Sequence, residues 1–161
     1  MIDKTNDIPL VSSELIEHHG LKWCCIDQIG EKGRLECRIP IVVNTDLSTG
    51  HGIHWICMVE IDDVVFIIDP LGPKNYRLYD DFMFGQFDSM KLKPVFYDGK
   101  FQFNNSTVCG YFSMLIANEL IKLKKRKYHY TLDDASEIVH SIFGKTADKG
   151  DLQTIIEYWE L

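Results

Sequence analysis

Cys109 stands where a polar run, Asn104-Asn105-Ser106-Thr107, gives way to a long apolar segment from Val108 to Ile121. The segment "STVCGYFSMLIANELIKLKKRK" predicts a helix capped by Ser106 or Thr107. It is apolar nearly all round, as a helix in the middle of a domain is. Cys109 then lies in the first helical turn, where unpaired N–H groups and the helix dipole favour an anion. Such a place lowers a thiol pKa and makes a nucleophile. A buried structural cysteine is the other reading of the same residue. Gly110 tips the balance, because a neighbour without a side chain lets a substrate backbone come close.

A nucleophilic thiol needs a base. Of six histidines, His54 stands out because it opens a strongly apolar β-rich run. A hydrogen-bonded core histidine is the bland alternative. Two such runs, "IHWICMVEI" and "VVFIIDPLGP", flank Asp62-Asp63, a hairpin signature. If the chain turns there, Ile61 faces Val64 and Ile56 faces Asp69. His54 and Asp69 then share a face as diagonal neighbours, about 7 Å apart at the backbone. The carboxylate could orient the imidazole. A one-residue slip would send Asp69 to the other face. Acyl transfer also needs an oxyanion hole. The Cys109 N–H is one donor, and the Gln102 side-chain amide could supply a second.

The elements around these residues suit one α+β domain over residues 1–161. "SSELIEHHG" predicts a short helix capped by Ser12 or Ser13 and stopped by Gly20. "CRIPIVVN" predicts a strand, and "YRLYDDFMFGQF" a helix or turn-rich connector. "PVFYDGKFQF" predicts two short strands about an Asp-Gly turn. Two amphipathic helices, "TLDDASEIVHSIFG" and "DKGDLQTIIEYWEL", follow the apolar helix. The hairpin strands are apolar on both faces, which places them centrally in the sheet. The expected core is a mainly antiparallel sheet packed against the buried helix that carries the nucleophile.

Composition is that of an ordinary globular chain, 45% hydrophobic and 25% charged. No apolar run reaches membrane-spanning length. The polar, acidic start "MIDKTNDIPL" does not read as a secretory signal. A net charge of -7 gives no global attraction to nucleic acid. The local exception is "KLKKRK": Lys122, Lys124, Lys125, Arg126 and Lys127, which also reads as a solvated helix end. Five cysteines, an odd number without framework spacing, suggest free thiols in a reducing compartment.

"VVNTDLSTGHGIHW", "FIIDPLG" and "QFNNSTVCGYF" together resemble the adenain-like viral maturation cysteine proteases. They resemble more broadly the clan that includes the SUMO-specific proteases. The shared pattern is a Gly-rich loop into His-Trp, an acid followed by Pro and Gly, a Gln, then Cys-Gly before a helix. The match spans about Val42 to Phe112. The resemblance implies a permuted papain-like fold with His54 as base, Asp69 as its orienting acid and Cys109 as nucleophile. Gln102 would support the oxyanion, and Gly52, Trp55 and Gly110 would line the substrate cleft. For Trp55 a core position on the opposite strand face is preferred to any direct chemistry. The implied activity is cleavage of viral capsid or core precursors near glycine-containing sites, by a monomer without cofactor, in the host cytoplasm and the virion interior. The acid is Asp, as in the SUMO proteases, where adenain more often has Glu. The family's peptide activator bonds to a cysteine between the acid and the Gln, and this chain has none between Cys57 and Cys109. Family use of DNA would fall on the Lys122–Lys127 run.

Two other functions fit parts of the sequence. One is a protease of ubiquitin-like modifiers with the same triad. The other is a zinc-stabilised module using Cys24, Cys25, Cys37, His51, His54 and Cys57, although no C-x-x-C pair exists. Cys24, Cys25, Cys37 and Cys57 otherwise read as core or surface thiols.

Overall fold

The computed structural model describes residues 9–29, 38–47, 49–50, 54–72, 80–101 and 108–161. Gln102, Gly52, His51, Cys37, Ser106 and Thr107 lie outside them. The described elements run α1 (Ser13–His18), β1 (Lys22–Cys25), a 3-10 turn (Ile26–Gln28), β2 (Ile41–Asn44), β3 (Trp55–Ile61), β4 (Val64–Ile68), α2 (Asp80–Ser89), β5 (Lys93–Phe96), α3 (Cys109–Arg126), α4 (Leu132–Lys149) and α5 (Asp151–Trp159).

The fold is α+β. The five strands follow in sheet order β1-β2-β3-β4-β5. The sheet is mixed, not mainly antiparallel: β2-β3 and β3-β4 are antiparallel, while β1-β2 and β4-β5 are parallel. Two readings of short segments explain the difference. β1, "KWCC", went unpredicted. In "PVFYDGKFQF" the described residues supply one strand, β5, and Asp98 to Phe101 carry none, while Gln102 and Phe103, the rest of the expected second strand, lie outside the described residues. Because β5 runs parallel to β4, no tight hairpin could have joined them.

The hairpin register is the predicted one. Ile61 pairs with Val64 and Cys57 with Ile68. Asp62, at φ 54°, takes the left-handed conformation that two-residue turns require. β3 and β4 are interior strands, and alternation along β3 divides the core. Cys57, Val59 and Ile61 join Phe112, Met114, Leu115 and Ile116 of α3 in one apolar cluster. Ile56 and Met58 join Phe87 of α2 and Ile26 of the 3-10 turn in the other. The sheet is therefore covered on both faces, as its apolar pattern demands.

Helix ends follow local chemistry. Ser12 caps α1, its Oγ accepting from Leu15 N at 3.2 Å. Thr131 and Asp134 form a reciprocal capping box on α4. α4 runs to Lys149, five residues past Gly144 where the sequence suggested a stop, and Gly150 at φ 88° separates it from α5. α3 is the exception. Its N-cap position is Val108, not Ser106 or Thr107, and no side chain among the described residues caps it.

Candidate active site

Asp69 lies just past the end of the β3-β4 ladder, in the turn Asp69-Pro70-Leu71-Gly72. Gly72 N–H donates to Asp69 C=O at 2.9 Å, closing a β-turn with proline at its second position. Leu71 N–H donates to Asp69 Oδ1, also at 2.9 Å. The side chain is thereby locked by its own turn, as Asp residues at such sites are. It is only 1% exposed. That burial of a carboxylate needs a partner.

The partner is His54. Its Nε2 lies 2.6 Å from the same Oδ1. His54 sits one residue before β3, and its carbonyl accepts from Thr45 N–H at 2.8 Å, which extends the β2 ladder to hold it. Nε2 is occupied by Asp69, which leaves Nδ1 as the ring nitrogen free to meet Cys109, a side chain near enough to bear on the imidazole pKa. Burial pulls the imidazole pKa down. The hydrogen bond to Asp69 with its negative charge, and the neighbouring Cys109, outweigh it and carry His54 up to about 9. The protonated imidazole is thus the form this pocket favours at neutral pH.

Cys109 is the first residue of α3 and is half-buried. The first intrahelical bond of this turn is Phe112 N–H to Val108 C=O. By helix geometry the N–H groups of Cys109, Gly110 and Tyr111 lack intrahelical acceptors, so the turn presents amides to an anion. The Gln102 proposed as a second oxyanion donor lies outside the described residues. Its neighbour Phe101 is tied by N–H to Pro70 C=O at 3.0 Å, directly beside Asp69.

No protein-family model matches the chain, and no curated protein does.

A residue that sequence reasoning missed holds the two halves together. Ser113, one helical turn after Cys109, donates from Oγ to Trp55 C=O at 3.0 Å. This ties α3 to β3 beside His54. Its signal was a hydroxyl in an apolar helical run, where a buried donor must find an acceptor. Ser113→Ala is expected to lower stability by about 1 kcal/mol. It should also lower kcat by roughly tenfold with KM little changed, well within what a 1 Å misplacement costs. Urea unfolding and steady-state kinetics on one preparation would check both.

Other candidates resolve differently. Trp55 is half-buried against Trp23, ring centroids 6.2 Å apart, and packs on the α3 cluster. Gly110 is buried against the Val11 side chain, so its missing Cβ makes room for the chain's own N-terminal segment, not for substrate. In the basic run, Lys122 lies 3.6 Å from Glu119, Lys124 donates to Arg38 C=O, and Lys127 pairs with Asp134 at 2.9 Å. Cys24, Cys25, Cys57 and Cys109 are free thiols. Burial pushes the Cys25 thiol up, as do the charges of Asp27 and Asp46. Burial alone pushes Cys57 up strongly. No cluster of three metal-ligating side chains occurs among the described residues, and His54 is committed to Asp69 and Cys109. Also among the described residues, no helix is long and apolar enough to cross a membrane.

Proposed function

We propose that the chain is a cysteine endopeptidase, and that it processes capsid or core precursor proteins of a virus. The observation that carries the chemistry is the 2.6 Å contact of buried Asp69 with the imidazole of His54, with Cys109 at the start of α3 near enough to raise the imidazole pKa. Each role needed for acyl transfer has an occupant: nucleophile, base, orienting acid and a helix N-terminus for the oxyanion. The choice of viral precursors rests on the resemblance of three segments to the adenain-like proteases.

In the proposed reaction the Cys109 thiolate attacks a peptide carbonyl carbon. The oxyanion is received by the Cys109 N–H, with Gln102 as the second donor. The C–N bond breaks, and the departing amine takes its proton from Nδ1 of the His54 imidazolium. Water then attacks the thioester, giving its proton back to His54. The C–S bond breaks, releasing the acid and restoring the thiolate–imidazolium pair. Asp69 keeps its proton balance throughout and holds the ring by Nε2.

The test is incubation with capsid and core precursors, followed by mass spectrometry of new N-termini. Cleavage is expected next to small residues, glycine above all, and none is expected with Cys109→Ala. Cleavage by Cys109→Ala would reject the mechanism. Trapping by vinyl-sulfone derivatives of ubiquitin-like modifiers, with capsid precursors left intact, would move the substrate class to modifier conjugates.

A further inference from the structure

We propose that residues 9–11 form a brace that positions the nucleophile, with Val11 as the positioning residue. The proposal rests on the reading of Cys109 as a nucleophile.

The helix that begins at Cys109 has no side-chain cap among the described residues. A helix end without a cap frays unless something else holds it. Here contacts from outside the helix do so. Val11 is buried and fills the space beside Gly110. A Cβ built on Gly110 would lie 2.4 Å from Val11 Cβ, 2.6 Å from Cγ2 and 2.9 Å from Cγ1. Both branches of the valine therefore rest on the glycine backbone. Two residues earlier, Pro9 C=O accepts from the Tyr111 hydroxyl at 2.7 Å. Leu10 between them is 68% exposed, so the strap is held by its two flanking residues and not by its middle one. On the far side Ser12 opens α1, whose Ile16 is fully buried and anchors the strap at that end. The Trp159 Nε1–H completes the cradle by donating to Tyr111 C=O at 3.2 Å.

The two anchors fall on Gly110 and Tyr111, the residues directly after the nucleophile. A shift of this turn moves Sγ relative to the imidazole, whose own position is fixed separately by Asp69. Glycine at 110 is then required by the fit to Val11. The interior is close-packed, so the clash with an added methyl must be relieved by movement of one of the two segments.

The experiment compares wild type, Gly110→Ala, Val11→Gly and the double variant. Two readouts are used: kcat and KM for peptide cleavage, and the rate at which iodoacetamide alkylates Cys109 against Cys25, by peptide mass mapping. Gly110→Ala is expected to lower kcat and Cys109 alkylation by about tenfold or more, with KM little changed. Adding Val11→Gly removes the clashing side chain and should restore both to the level of Val11→Gly alone. Additive losses in the double variant would overturn the brace. So would Gly110→Ala at wild-type rates. Should Gly110→Ala fail to fold, Val11→Gly and Tyr111→Phe decide. Each should slow Cys109 alkylation while leaving Cys25 unchanged, and wild-type rates in both would overturn the proposal. The alkylation readout needs no peptide substrate. Brace-dependent alkylation without any proteolysis would thus refute the protease reading and leave the brace standing.

Discussion

Cys109→Ala and His54→Ala are each expected to abolish peptide cleavage, lowering kcat/KM by at least about 10⁴-fold. Residues that act as one catalytic unit lose nearly the whole effect when either is removed. Alanine at 109 leaves no atom to form the thioester. Alanine at 54 leaves nothing to hold the thiolate or to protonate the leaving amine. The His54 change carries a second cost. Asp69 is 1% exposed and would lose its charged partner, which costs about 3–5 kcal/mol in buried pairs. His54→Gln separates the two effects. Glutamine can still donate to Asp69 but cannot act as base. It should fold more stably than the alanine variant, by urea unfolding, and be as inactive.

Asp69→Asn is expected to move the basic limb of the pH–rate profile toward acid. The His54 pKa is lowered by burial, and raised more by its bonds and charges to Asp69 and Cys109, reaching about 9. An asparagine keeps the shape and the Leu71 hydrogen bond but loses the charge. The imidazolium then deprotonates at lower pH. A shift of about one unit is a roughly twofold loss of the charged form at pH 8 and approaches tenfold only above the original pKa, so kcat/KM should fall by about twofold at pH 8 and by about tenfold near pH 10. The stability linkage has a definite sign. The folded pKa of about 9 lies above the ordinary 6.5. The stabilisation is fully present below about pH 6.5 and is lost as pH rises through about 9. Asp69→Asn should flatten that part of the stability curve. A basic limb left near pH 9 in the variant would show that Asp69 does not set the His54 charge. The limb belongs to the coupled Cys109–His54 pair and reports its macroscopic titration.

The pairing of His54 with Asp69 was legible because one local feature determines it. A two-residue turn at Asp62-Asp63 fixes the register of β3 on β4, and every pair along the hairpin follows. The position of Cys109 at a helix start was legible from the switch of polarity around it. What was not legible depends on partners remote in sequence. β1 is four residues long and pairs in parallel with β2, so no turn announces it. β5 was read as a strand despite Pro94, which is tolerated at the sheet edge, but its parallel pairing with the distant β4 was not. Ser106 and Thr107 have the better capping propensity, but the helix starts after Val108. Tertiary anchors there outweigh a local preference. Gly110 shows the same limit most clearly. Its sequence context suggested an open approach for substrate, whereas Val11 decides its role.

The most direct test is to trap the nucleophile with a peptidyl-glycine vinyl sulfone and map the adduct by mass spectrometry. Cys25 is the internal comparison, a half-buried thiol whose pKa is pushed up by burial and by Asp27 and Asp46. The expected result is one adduct, on Cys109, that disappears in His54→Gln. Equal labelling of Cys25 and Cys109, or labelling of Cys109 at an unchanged rate in His54→Gln, would contradict an activated thiol–imidazole pair.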